Sequence, residues 1–167
     1  MTFELAELQA ETKAEAYTAL AAQLRSLLEG EQDFIANTAN LSSLLYHGLP
    51  DLNWTGFYLL KNGELVLGPF QGRPACVRIP VGQGVCGTAA KQRQTIIVPN
   101  VHEFPGHIAC DSASNSEIVV PLVKEGRLIG VLDLDSPTVA RFDDEDAHGL
   151  NELVEIFLAA SKIEVSR

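Results

Sequence analysis

Three cysteines, Cys76, Cys86 and Cys110, are the side chains of this sequence best suited to covalent chemistry, and Cys110 has the most unusual surroundings. It lies in the stretch 102–117, HEFPGHIACDSASNSE, which is too polar and too interrupted by Pro105 and Gly106 to form a helix or strand. An apolar run, IVVPLV, follows at once from Ile118, so an irregular segment ends where a buried strand begins, a common place for a functional loop on a rigid scaffold. A free thiol with a pKa of about 8.5 is only about 3% thiolate at pH 7, so a nucleophilic Cys110 would gain from a nearby cation or helix N-terminus. His107 is the nearest such candidate, and a histidine that merely braces the loop is an equal reading.

The other two cysteines are open to two readings. Cys76 sits in Ala-Cys-Val-Arg-Ile, a strand pattern, and Cys86 in a small-residue helix start, so each suits a redox partner or a small buried hydrophobe. No C-x-x-C pair is present, and zinc sites commonly use such close pairs, so no metal is expected. A second unusual pattern is Gly130-Val-Leu-Asp-Leu-Asp-Ser136. In a strand Asp133 and Asp135 share a face, about 7 Å apart. A solvent-facing strand end would explain them simply. Burial would instead raise at least one pKa and leave a protonated carboxyl able to donate a hydrogen bond at neutral pH. A thiol beside such acids suits an acid-assisted reaction on a small cationic ligand.

The elements that must position these groups are legible from periodicity and turn residues. Apolar residues spaced by three and four from Ala14 to Leu28, and again from Phe34 to Leu45, predict two helices separated at Gly30. From Trp54 the pattern becomes that of strands, with a hairpin through Asn62-Gly63, since a type I′ turn needs positive φ at both central residues. A third strand is expected over 75–80. The glycine-rich 81–88 leads into a short helix over 85–93, and it lacks the Gly-Lys-Ser/Thr ending of a P-loop. A short strand over 95–98 follows. Residues 118–124 and 128–135 predict a second hairpin, and a last helix begins near Asp143, its N-cap. The fold class is α+β, a central antiparallel sheet of five or six strands flanked by N- and C-terminal helices.

At 167 residues and 46% hydrophobic content the chain can bury one sizeable core. Its net charge of −10, with only 12 Lys and Arg, argues against nucleic acid. The start, MTFELAELQAETKAEAY, has no basic n-region or apolar h-region, and no apolar run is long enough to span a membrane. A cytoplasmic location is expected, where thiols stay reduced and cysteines act as core residues, ligands or redox groups.

The element order resembles that of a GAF domain. The motifs Asn53-Trp-Thr-Gly-Phe-Tyr58, Leu67-Gly-Pro-Phe-Gln-Gly72, Pro74-Ala-Cys76, Gly84-Val-Cys-Gly-Thr88, Phe104-Pro-Gly-His-Ile-Ala-Cys-Asp111, Ser116-Glu117 and Gly130-Val-Leu-Asp-Leu-Asp-Ser136 together closely resemble the free methionine-(R)-sulfoxide reductases, which are stand-alone GAF domains. That resemblance implies a GAF domain over 30–165 behind an N-terminal helical extension, 1–29, in a single domain overall. It implies that Cys110 attacks the sulfoxide sulfur of free methionine sulfoxide and becomes a sulfenic acid. Cys76 then forms a disulfide with it, which thioredoxin reduces, while Cys86 serves as an alternative or relay thiol. Glu117, Asp133 and Asp135 match the acids that hold the substrate, and Trp54 the aromatic wall beside its methyl-sulfur end. No cofactor is implied, and the expected assembly is a homodimer. The competing readings are a GAF sensor of a small ligand and an oxidation sensor, neither with turnover.

Overall fold

Thr12 starts the first helix with a capping box: its hydroxyl accepts from the Glu15 N–H while the Glu15 carboxylate accepts from the Thr12 N–H. In the computed structural model, which describes residues 9–108 and 110–163, this helix is α1 (Lys13–Leu27). Gly30 takes a positive φ of 76° just beyond it. Asp33 then caps α2 (Phe34–Gly48), its carboxylate accepting from the Ala36 N–H at 2.8 Å.

The change to strand periodicity gives β1 (Trp54–Lys61) and β2 (Glu64–Gly72). Between them Asn62 and Gly63 have φ of 51° and 83°, positive at both central residues as expected. β3 (Arg78–Pro80), α3 (Gly84–Gln92) and β4 (Ile96–Val98) follow. An irregular stretch leads to β5 (Ser116–Lys124), which turns through Glu125-Gly126, again both at positive φ, into β6 (Arg127–Ser136). Asp143 caps the last helix, α4 (Asp144–Ala160), in a second capping box with Asp146. The six strands form one sheet in the order β3-β2-β1-β6-β5-β4 with every neighbouring pair antiparallel.

Strand alternation divides the core in two. Phe57, Ile118, Val120, Leu132 and Leu134 face the layer of α1, α2 and α4, meeting Leu20, Leu24, Leu41, Leu45, Leu153 and Phe157. Tyr58, Val119 and Val131 face the other way, against Val85, Cys86, Ala89 and Ala90 of α3. The second face is only partly covered by one short helix, and its uncovered end is where the polar residues gather. No helix among the described residues is long and apolar enough to cross a membrane.

The third strand is shorter than expected, three residues instead of six, and Cys76 lies before it in an irregular segment. The carbonyl of Cys76 accepts from the Tyr58 hydroxyl at 2.9 Å, a side-chain bond, and the regular pairing of β2 with β3 begins only at Val66 and Arg78.

Candidate active site

Register brings the acids together. Glu117 on β5 stands directly opposite Asp135 on β6, and Asp135 in turn opposite Trp54 on β1. Asp133 shares the face of Asp135 by strand alternation, opposite Gly56. A Cβ on Gly56 would overlap the side chain of Phe70 and stand 2.8 Å from the Trp54 ring, so a glycine is required for Trp54 to lie across the strand here. Trp54 is sandwiched in ring contact between Tyr58, 5.9 Å away, and Phe70, 5.3 Å away.

Trp54, Tyr58, Glu117, Asp133 and Asp135 line a small cavity closed by the first turn of α3, with Gly84, Val85 and Cys86, and by the irregular segment, with His107, Ile108 and Cys110. Cys110 is half-buried at its edge and is joined by a disulfide to Cys76, with 5.6 Å between the Cα atoms. That is ordinary disulfide spacing and is compatible with the pairing the resemblance implies. Cys86 is a free, buried thiol 4.0 Å from the Glu117 carboxylate. The structure thus gathers Trp54, Cys86, Cys110, Glu117, Asp133 and Asp135 in one place, with Cys76 attached through its sulfur.

The electrostatics are dominated by burial. Glu117 is 5% and Asp133 6% exposed, and one Asp133 oxygen, Oδ1, has no hydrogen-bond partner. Burial, then mutual repulsion, raises the pKa of Glu117, Asp133 and Asp135 well above the ordinary carboxylate range. The Cys86 thiol is pushed up by the same burial and by the neighbouring acids, so it stays protonated at neutral pH. A pocket of this kind suits a cation, which would relieve the repulsion. Cys86, Glu117 and Asp133 each present a ligand atom within 4.8 Å of the others, an arrangement that could equally receive an organic ammonium group or a metal ion.

The histidines play smaller parts. His107 lies 3.6 Å from Glu117, and burial lowers its pKa. It is therefore neutral at neutral pH and supplies no cation to Cys110. His102 braces the segment, its Nε2 paired with the Asn115 side chain at 3.0 Å. Asn53 donates to Asp111 at 3.3 Å and to Ser114 at 3.1 Å, tying the Cys110 segment to the start of β1. The sequence by itself points to no role for Asn53, Ser114 or Tyr58. Only Tyr58 carried a signal, since it is four residues from Trp54 on the same strand face.

The fold and site define a GAF domain, and the GAF family model matches residues 13–160. The chain is 58% identical over 142 residues to the free methionine-R-sulfoxide reductase of Escherichia coli, covering 85% of this chain and 86% of that protein. It is 42% identical over 152 residues to the enzyme of the same name from Saccharomyces cerevisiae, covering 86% and 84%. The structure of free methionine-R-sulfoxide reductase from Neisseria meningitidis in complex with its substrate superimposes with a TM-score of 0.91 at 45% identity, covering 95% of each chain. This chain belongs to the GAF-domain family of free methionine-R-sulfoxide reductases.

Proposed function

We propose that this protein reduces free methionine (R)-sulfoxide to methionine, with Cys110 as nucleophile and Cys76 as the thiol that recycles it. The observation that carries this reading is the Cys76–Cys110 disulfide at the edge of a cavity with three buried acids and an aromatic wall. The Cys110 thiolate attacks the sulfoxide sulfur, methionine departs, and the oxygen remains on Cys110 as a sulfenic acid. The Cys76 thiol attacks that sulfur, water leaves, and the disulfide forms. Two thiols of a reductant such as thioredoxin then restore the dithiol, supplying two electrons and two protons.

Each wall of the cavity has a matching task. A sulfoxide oxygen departs poorly unless protonated, and acids with raised pKa values hold the proton it needs at neutral pH. The α-ammonium of a free amino acid offsets the repulsion among the acids, whereas the amide nitrogen of a peptide does not, so the pocket selects free methionine sulfoxide. Trp54 packs against the methyl-sulfur end. Crowded carboxylates would oppose a Cys110 thiolate, and the positive N-terminal end of α3 at the cavity offsets part of that cost. Cys86, protonated and buried beside Glu117, serves here as part of the pocket floor.

Stereopure free methionine sulfoxides supplied with thioredoxin, its reductase and NADPH test this reading. Only the free R form should consume NADPH; no consumption by fully reduced protein would overturn it. Cys110→Ser should release no methionine. Cys76→Ser should release about one methionine per protein with thioredoxin and then stall, with the sulfenic acid detectable by dimedone labelling and intact mass.

A further inference from the structure

Segment 73–77, which carries Cys76, has no regular secondary structure, yet three of its carbonyls are held. The Arg73 carbonyl accepts from the Trp54 indole N–H at 3.1 Å, that of Cys76 from the Tyr58 hydroxyl at 2.9 Å, and that of Val77 from the Leu67 N–H at 2.9 Å. Two of the three donors are side chains of β1, the strand at the centre of the sheet. The bond from Tyr58 alone ends on the cysteine itself, and among the described residues it is the only hydrogen bond drawn for that hydroxyl. Tyr58 is 1% exposed, with its ring stacked on Trp54, so the hydroxyl has a rigid base. Burial, then the nearby acids and Cys86, push its pKa upward, which keeps it a donor throughout the working pH range.

The segment's outer side is held far less firmly. Val77 is 62% exposed, and the ion pair at 4.0 Å between the largely exposed Arg73 side chain and Asp111 is weak by its exposure. Cys76 and Cys110 are 34 residues apart in the chain, so once the disulfide is reduced no covalent tie keeps the sulfurs close. An intramolecular step depends on how well its partners are held in register, and a single anchor at the reacting residue narrows that search. We propose that Tyr58 is a positioning residue for recycling: its hydroxyl pins the Cys76 backbone so that the reduced thiol remains within reach of the Cys110 sulfenic acid. This inference rests on the function proposed above. Tyr58 touches no reacting atom in this role; it acts through Cys76.

Tyr58→Phe keeps the ring and removes only the bond. Reduced wild-type and variant protein are followed through one turnover in two arms, quenched with a thiol-alkylating reagent and read by intact mass. In the first arm free methionine (R)-sulfoxide generates the sulfenic acid, and methionine release and disulfide formation are both timed. In the second, hydrogen peroxide oxidises the Cys110 thiolate to the same sulfenic acid, with hydroxide as the leaving group, and only disulfide formation is timed. Disulfide closure in the variant should be about three- to tenfold slower than in wild type in the peroxide arm, the range one neutral hydrogen bond commands. In the substrate arm its rate relative to methionine release should fall by the same factor, with more sulfenic acid captured by dimedone. Rates within one sample are insensitive to any unfolded fraction. Wild-type closure in the peroxide arm would overturn the proposal, as would slowing confined to the substrate arm, which would make Tyr58 a substrate-binding group. Absence of methionine release from wild type would refute the proposed function alone, because the peroxide arm still reads the role of Tyr58.

Discussion

At the scale of single residues, three acids crowd a face of the sheet that would otherwise be apolar, and their shared burial governs how the protein responds to pH. Glu117, Asp133 and Asp135 hold protons in the folded state at pH values where the unfolded chain has released them. The native state therefore binds more protons above the ordinary carboxylate range, and stability falls as pH rises through it, by up to about 1.4 kcal/mol per pH unit for each proton retained. Asp143 and His107 work in the opposite direction: the hydrogen bond from Lys13 lowers the Asp143 pKa, a contribution complete below that window, and burial lowers that of His107, one group against three within it. Urea unfolding between pH 5 and 8 should show declining stability, and Asp133→Asn should flatten the slope. In the reaction proposed above, carboxyls whose pKa burial raises are the groups able to give a proton to a sulfoxide oxygen.

At the scale of elements, the helices are joined to one another through closely fitted contacts as well as to the sheet. Gly149 of α4 lies against the Tyr17 ring of α1, where a Cβ would overlap the ring carbons. Tyr17 cannot simply swing aside, because its hydroxyl donates to Asp146 at 2.8 Å, and Asp146, fully buried, also pairs with Lys13 at 2.6 Å and Arg141 at 3.3 Å. Gly149→Ala should therefore lose about 1–3 kcal/mol despite the better helix propensity of alanine, which denaturant titration will show as a lowered midpoint at unchanged slope. These bonds fasten α1 to the C-terminal helix, on the face of the sheet opposite the cavity. The site is assembled on the thinly covered face, where one short helix leaves room for a ligand.

At the scale of the whole molecule, the Cys76–Cys110 disulfide closes a loop spanning 34 residues of sequence and links β2's exit to the segment before β5. Chain-entropy reasoning assigns such a link about 3–4 kcal/mol, so the reduced protein is the less stable form. Urea titrations with and without dithiothreitol should differ by about that amount in wild type and coincide in Cys76→Ser. The cycle proposed above would alternate between this stapled form and a looser reduced form that meets the substrate. In the role proposed above, the Tyr58 hydroxyl on the Cys76 carbonyl would limit how far that looser form spreads, and the Trp54 indole holds the Arg73 carbonyl of the same segment.

The element order and both hairpins were legible in the chain itself because their causes are local. Apolar spacing of three and four marks the helices, Asn62-Gly63 and Gly126 supply the turns that need positive φ, and Asp143 sits where a cap belongs. The shared face of Asp133 and Asp135 follows equally from strand alternation. The motifs containing Cys76, Cys86, Cys110, Glu117 and Trp54 pointed to the family by their resemblance to it. Tertiary structure alone decided that Glu117 stands opposite Asp135, that Cys86 lies against Glu117, and that Cys76 leaves the strand pattern to be held by Tyr58. Those contacts join residues about 18 to 31 positions apart through sheet register and loop-to-strand hydrogen bonds, which no local period encodes. Packing brings together what periodicity can only orient.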